Sequence, residues 1–407
     1  MRCASVDSLW GTASEGAVIT AHCGSAASAF VAFAAFGSFW GVWGASLPRV
    51  QDQARISDGE LGFALLFVGA GALPAMLLAG RALDRWGLRV AAGAIGGLGI
   101  IGVALALTAV SLPSLCTALT IGGAASGAAD VTMNAVAGRA ERDTGQPVIA
   151  RAHGTFSTFV VLTSLSTGVA AAAAWPLAVP FIGVAVLSLT AGAALLKTLP
   201  PWEITCSGDT VVTASSAPSH SNMGALLPIG ALGALAFASE NAHQSWSAVF
   251  AQDELHAGKG LTAVAPAVFA GTVAITRFAV AGLKATHEQS VILAGSLAAA
   301  GGTLIIAAAP TLLIAALGLV VAGAGTAVLF PALLGIVSRD VEESHRGRAT
   351  SVITTVSYLG FLLGPVYVGL WADATGLRGA MTAVAALAAA LFFLTSPLLG
   401  LSRSSGK

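Results

Sequence analysis

Apolar runs follow one another along the chain, each close to the ~20 residues that a helix rising 1.5 Å per residue needs to cross hydrocarbon. Twelve are predicted as membrane-spanning helices. The first six cover residues 26–47, 59–78, 90–110, 115–137, 148–172 and 177–196, and the second six cover 226–250, 261–282, 291–309, 312–337, 349–370 and 380–399. The longest internal polar stretch, 198–223, is rich in Ser, Thr and Pro and reads as a flexible linker. It divides the chain into an amino-terminal tail (1–25), a six-helix half (26–197), the linker, a second six-helix half (224–400) and a short tail (401–407). The predicted fold class is therefore an all-α membrane protein of twelve helices in two halves.

Composition supports a lipid surrounding. Of 407 residues, 56% are hydrophobic and 9% charged, against about a quarter charged in an ordinary soluble domain. The formal net charge is zero, so nothing in the global field argues for nucleic acid. Placing the amino terminus in the cytosol leaves only Arg49, Arg55, Lys259 and Arg378 of the basic residues outside, with Arg277 within a span. That bias orients both termini toward the cytosol. The cysteines, Cys3, Cys23, Cys116 and Cys206, lack metal-ligand spacing and read as reduced thiols. No phosphate-binding Walker loop, zinc motif or nucleophile triad occurs, so no cofactor, no metal and no enzymatic activity are expected.

Between the second and third spans runs Gly80-Arg81-Ala82-Leu83-Asp84-Arg85-Trp86-Gly87-Leu88-Arg89. With the twelve spans and central linker, this loop resembles the G-x-x-x-D-R-x-G-x-R loop of the major facilitator superfamily. Gly80 and Gly87 permit tight turning and close approach. Asp84 can face the positive end of a neighbouring helix, while Arg85 and Arg89 can pair across the interface between halves. Such a cluster would latch one state of a transport cycle. The second-half counterpart, Gly282-Leu283-Lys284-Ala285-Thr286-His287, lacks the acid and the arginine. Asp130-Val131-Thr132-Met133-Asn134, His153-Gly154-Thr155-Phe156-Ser157 and Tyr358 to Pro365 are similar to a bacterial subgroup related to fucose-type sugar permeases. The resemblance implies a central cavity between the halves, an inner-membrane location and a monomer.

Several polar side chains fall inside spans, where an ionisable group is costly unless it faces a cavity or a partner. Asp130 in span four is the sharpest candidate for proton coupling, with Asn134 one turn on sharing its face. In span seven Glu240, His243 and Gln244 have i, i+3, i+4 spacing and are expected on one face, with Asn241 to one side. Glu240 is the second proton-coupling candidate. Asn134, Asn241, His243, Gln244, Trp43 and Trp246 are candidate substrate contacts, although His243 also suits a bonded structural role and the tryptophans an interfacial belt. Arg277 either reaches back to the interface or pairs with a cavity carboxylate such as Glu240.

The expected function is secondary active transport of a small polar solute by alternating access, with protons and the lipid bilayer as the other partners, and the resemblance to fucose-type permeases points to a sugar-like solute. Two alternatives stand beside it. Proton-driven efflux of drug-like compounds is one, though its usual Gly-Pro signature in span five is lacking and the nearest match is Gly360 to Pro365. A non-transporting receptor or scaffold is the other, disfavoured by carboxylates inside spans.

Overall fold

The computed structural model describes residues 11–200, 226–280, 288–340 and 343–404. Most of the linker and the second-half loop from Gly282 to His287 lie outside them. Among the described residues the chain is helical throughout, without a strand. The helices are α1 (Gly11–Ala54), α2 (Asp58–Trp86), α3 (Val90–Thr108), α4 (Leu112–Thr144), α5 (Val148–Ala172), α6 (Ala178–Thr198), α7 (Leu227–Asp253), α8 (Val264–Val280), α9 (Glu288–Ala308), α10 (Leu312–Asp340) and α11 (Glu343–Ser404). The last is two segments, because Gly376 interrupts it with φ 78°. Twelve segments result among the described residues, and with successive helices antiparallel the start of α1 and the end of α11 fall at one end of the bundle. That end is called proximal below, and the opposite one distal.

Among the described residues nine helices are long and apolar enough to cross a membrane. Differences from the expected spans lie at the ends. α1 begins at Gly11, so helix extends into the segment expected as a loose tail, and its apolar span is Ala26–Ala54. α2 and α4 run past their apolar stretches through Trp86 and Thr144, since nothing in those polar ends breaks a helix before Gly87 and Gly145, both with positive φ. Residues 80–86, expected in a loop, are therefore the last turns of α2. Ser57 and Glu60 form a reciprocal capping box at the start of α2, satisfying two amides that would otherwise lack partners.

Packing repeats between the halves. In the first, α1 lies on α5, α2 on α4 and α3 on α6. In the second, α7 lies on the first arm of α11, α8 on α10 and α9 on the second arm of α11. Small residues allow the approach, as their spacing predicts. Gly123 and Gly127 bring α4 against the carbonyls of Val68 and Ala72, and Gly360 and Gly364 bring α11 against those of Ala234 and Ala238. A side chain at Gly123, Gly127 or Gly360 would collide with backbone, and one at Gly364 would be tight against Ala238.

The halves meet along α1–α7, α2–α11 and α5–α8. At the distal end Asp52 accepts from Gln252 at 3.3 Å and Asp373 accepts from Gly59 N–H at 2.8 Å. Farther in, Ser164 donates to the Ala263 carbonyl at 3.2 Å, and Gly62 abuts Pro365 and Gly369. Toward the proximal end, among the described residues, α5 and α8 still meet closely, Gly154 against Phe278. Among the described residues α4 packs extensively on neither α10 nor α11. Among the described residues the halves are thus closed distally and parted proximally.

Candidate functional site

The middle of α7 carries Ser239, Glu240, Asn241, His243, Gln244, Ser245 and Ser247 in an otherwise apolar helix. Such a concentration is tolerated only where protein or a wet cleft, and not lipid, surrounds it. Glu240 is 8% exposed. Arg277 of α8 donates from Nη2 to both its carboxylate oxygens at 3.0 Å and from Nε to the Ala327 carbonyl of α10 at 3.4 Å. Gln244 donates to Oε1 of the same carboxylate at 3.1 Å. The Arg277 side chain remains 45% exposed against 11% for Glu240, so the pair has one buried end and one half-exposed end. His153 of α5, in the other half, lies within electrostatic range of Arg277.

On the first half, Asn134 donates to both the backbone carbonyl of Asp130, at 2.9 Å, and its carboxylate, at 3.2 Å. One turn of helix sets this contact. Across the parting, Tyr358 of α11 is within electrostatic range of Asp130. Its ring belongs to an aromatic group with Phe237 of α7, 5.7 Å between centroids, and Phe237 in turn sits 4.3 Å from Phe330 of α10. The carboxyl and amide of α4 thus stand near the aromatic group of the second half.

Four sequence candidates lie elsewhere. His243 does not share the face on which Gln244 meets Glu240. It is buried, with Nδ1 2.6 Å from the Ser239 carbonyl and Nε2 2.9 Å from the Thr303 hydroxyl of α9. A carbonyl only accepts, so Nδ1 carries the proton. The ring also stacks on Phe269 at 5.2 Å, which makes it a tie within the second half. Asn241 is likewise buried and donates to the Phe361 carbonyl of α11 at 2.6 Å while accepting from Ser245. Its amide clamps α7 to α11. Trp246 is 0% exposed and Trp43 5%, so neither belongs to an interfacial belt and Trp246 reaches no solute in this conformation. Their helices pack on one another, and both rings join the main core cluster. Trp43, together with Trp40 and Phe39, borders a small internal pocket between α1 and α4.

The loop candidates divide as well. Gly87 takes φ 70° and caps α2 through its N–H to Leu83 at 2.8 Å, as a turn glycine should. Gly80 has open space where a side chain would be and supports no close approach here. Arg85 lies over its neighbour Trp86, and Arg89 donates to the Leu199 carbonyl at 3.1 Å. That bond ties the loop within its own half and not across to the other. Asp84 is exposed, and among the described residues no hydrogen bond holds it.

Sequence reasoning missed Tyr358, Phe237 and Phe330 as cleft residues, because aromatic residues in apolar helices carry no periodic signal of their own. It also missed Thr303, whose role depends on a histidine distant in sequence.

The sequence profile described as Major Facilitator Superfamily matches residues 28–286 and 286–407. An uncharacterised MFS-type transporter of Yersinia pestis is 26% identical over 84% of this chain and 87% of its own length. An uncharacterised transporter of Sinorhizobium fredii is 27% identical over 87% of this chain and 92% of its own. Among solved structures, a D-xylose-proton symporter superposes with a TM-score of 0.75 at 16% identity, covering 94% of this chain and 99% of the other.

Proposed function

Because this chain belongs to the major facilitator superfamily, a family of membrane transporters, we propose that it carries a small polar solute across the bacterial inner membrane by alternating access, coupled to protons at Asp130 and Glu240. The observation that carries this reading is the Glu240–Arg277 pair at the edge of the cleft. A proton on Glu240 would cancel its charge and release the half-exposed guanidinium toward the solute, whereas loss of the proton would draw it back. Asp130 and Asn134 face the same opening from the other half, so occupancy of one site could be sensed by both. Gln244 and Asn134 are the amides placed to contact the solute.

In this reading the proximal end is cytosolic, both termini with it, and the structure corresponds to the inward-open state. The unengaged Asp84 loop agrees with that state, since its latch would close only when the proximal end does. A sugar-like solute is favoured by the motifs resembling fucose-type permeases and by the aromatic faces of Phe237 and Tyr358, which suit ring stacking.

The test has two stages. A thermal-shift screen of the purified protein against sugars, organic acids and drugs identifies a solute, since a ligand of the folded state raises the melting temperature. Uptake of that solute into proteoliposomes under an imposed pH gradient then compares the parent with Asp130→Asn and Glu240→Gln. The expected result is loss of gradient-driven accumulation with solute binding retained. Accumulation equal to the parent in both variants would remove both carboxyls from the coupling role.

A further inference from the structure

Residues 369–378 read Gly369-Leu-Trp-Ala-Asp373-Ala-Thr-Gly376-Leu-Arg378. This repeats the spacing of residues 80–89, a glycine, an aspartate four on, a glycine three further, and an arginine two further. The two copies sit at opposite ends of the bundle, one closing α2 and the other closing the first arm of α11. Their local structures match. Gly87 and Gly376 have φ of 70° and 78°, and each arginine anchors its turn within its own half. Arg89 reaches the Leu199 carbonyl at 3.1 Å, while Arg378 reaches Glu254 at 3.0 Å and the Ala307 carbonyl at 2.9 Å.

Their engagement is opposite. Gly80 meets nothing and Asp84 is unbonded among the described residues, but Gly369 lies against Gly62 and the Asp58 carbonyl of α2. Asp373 accepts from the Gly59 N–H at 2.8 Å and the Ser57 hydroxyl at 3.3 Å. A carboxylate from one half therefore sits on the amino terminus of a helix of the other, where amides without intrahelical partners and the helix dipole favour negative charge. The carboxylate of Asp58 itself is occupied separately by Gln51 at 2.7 Å.

We propose that Asp373 is a positioning residue of the transport cycle, a distal latch that holds the halves together by capping α2, built on the same pattern as the proximal loop around Asp84. α2 and α11 run antiparallel, so each presents an aspartate near its carboxyl end to the amino end of the other. Engagement of one latch accompanies release of the other. Gly59 is part of the device: a methyl there would fall on the Asp373 carboxylate, whose free end can swing aside without disturbing the backbone.

The proposal rests on the alternating-access reading, and the experiment separates the two. Spin labels at Val110 and Pro310, on distal turns of opposite halves, report distal opening by electron–electron distance measurement in lipid nanodiscs. A second pair at Gln146 and Ser290 reports the proximal end. Asp373→Asn, Gly59→Ala and the double variant are compared with the parent. Each single change is expected to raise the distal-open population roughly two- to thirtyfold, the range spanned by loss of a helix cap. The double variant is expected to do no more than the larger single, because both break one contact. Gly59→Ala raises helix propensity, so a folding defect does not confound it. An unchanged distal distribution in both singles, or effects that simply add in the double, would overturn the latch. Distal opening with no proximal narrowing would keep the latch and instead sink alternating access.

Discussion

Arg277 Nη2 stands 3.0 Å from each carboxylate oxygen of Glu240, so one nitrogen serves both acceptors while Nε donates to the Ala327 carbonyl and the side chain stays half exposed. The buried partner depends on the exposed one more than the reverse. Arg277→Gln strands a carboxylate that is nearly buried and should destabilise by about 1–3 kcal/mol, below the figure for fully buried pairs because of the exposed end. The Glu240→Gln, Arg277→Gln double variant should recover at least half of that. Thermal melting in detergent checks both, and a double variant less stable than Arg277→Gln would contradict this account.

His243 gives a contrasting case. Thr303→Val leaves its Nε2 buried without a partner, with an expected cost of ~1–3 kcal/mol. Solute binding should be untouched, because the ring lies within the second half. A binding defect exceeding twofold, measured by calorimetry with a solute found in the screen, would return His243 to the transport path.

Gly360 lies so close to the Ala234 carbonyl that no side chain fits between α11 and α7. Gly360→Val should therefore force the helices apart and cost upwards of ~2 kcal/mol, the overpacking range. Gly301, with open space around it, should accept alanine with a change within ~0.5 kcal/mol. Size-exclusion behaviour and melting of the two variants provide the comparison.

Trp246 is fully buried and, among the described residues, its indole N–H has no hydrogen-bond partner. Trp246→Phe removes an unsatisfied donor and some packing together, and the two partly offset. The expected net change is within ~1.5 kcal/mol, small for the loss of a buried tryptophan. A loss above ~3 kcal/mol in a melting series would show that packing alone decides this position.

The topology was legible because hydrocarbon imposes a length and a polarity on every spanning segment, and α5 falls on the residues expected for it. Helix ends were less legible, as at residues 80–86, where the apolar signal stops before the helix does. At the site, sequence marked which polar groups lie inside spans but not which way they point. Helical spacing put Glu240 and His243 on one face, while a shift of one position separates a residue facing the cleft from one facing α9. The Asp373–Gly59 contact joins residues 314 apart in sequence, and no local pattern records such a partnership.

The polar middle of α7 also bears on how the chain is made. Among the described residues α7 is not one of the helices apolar enough to cross on its own, and the shorter α8 carries Arg277. A lone ionised side chain at mid-depth makes entry into the bilayer unfavourable by some 2.5–3.5 kcal/mol on insertion scales. These two segments are consecutive in synthesis and carry opposite charges that meet. They are therefore expected to enter lipid as a hairpin with the charges already joined, and a nascent chain halted after α7 should slip back out of the membrane.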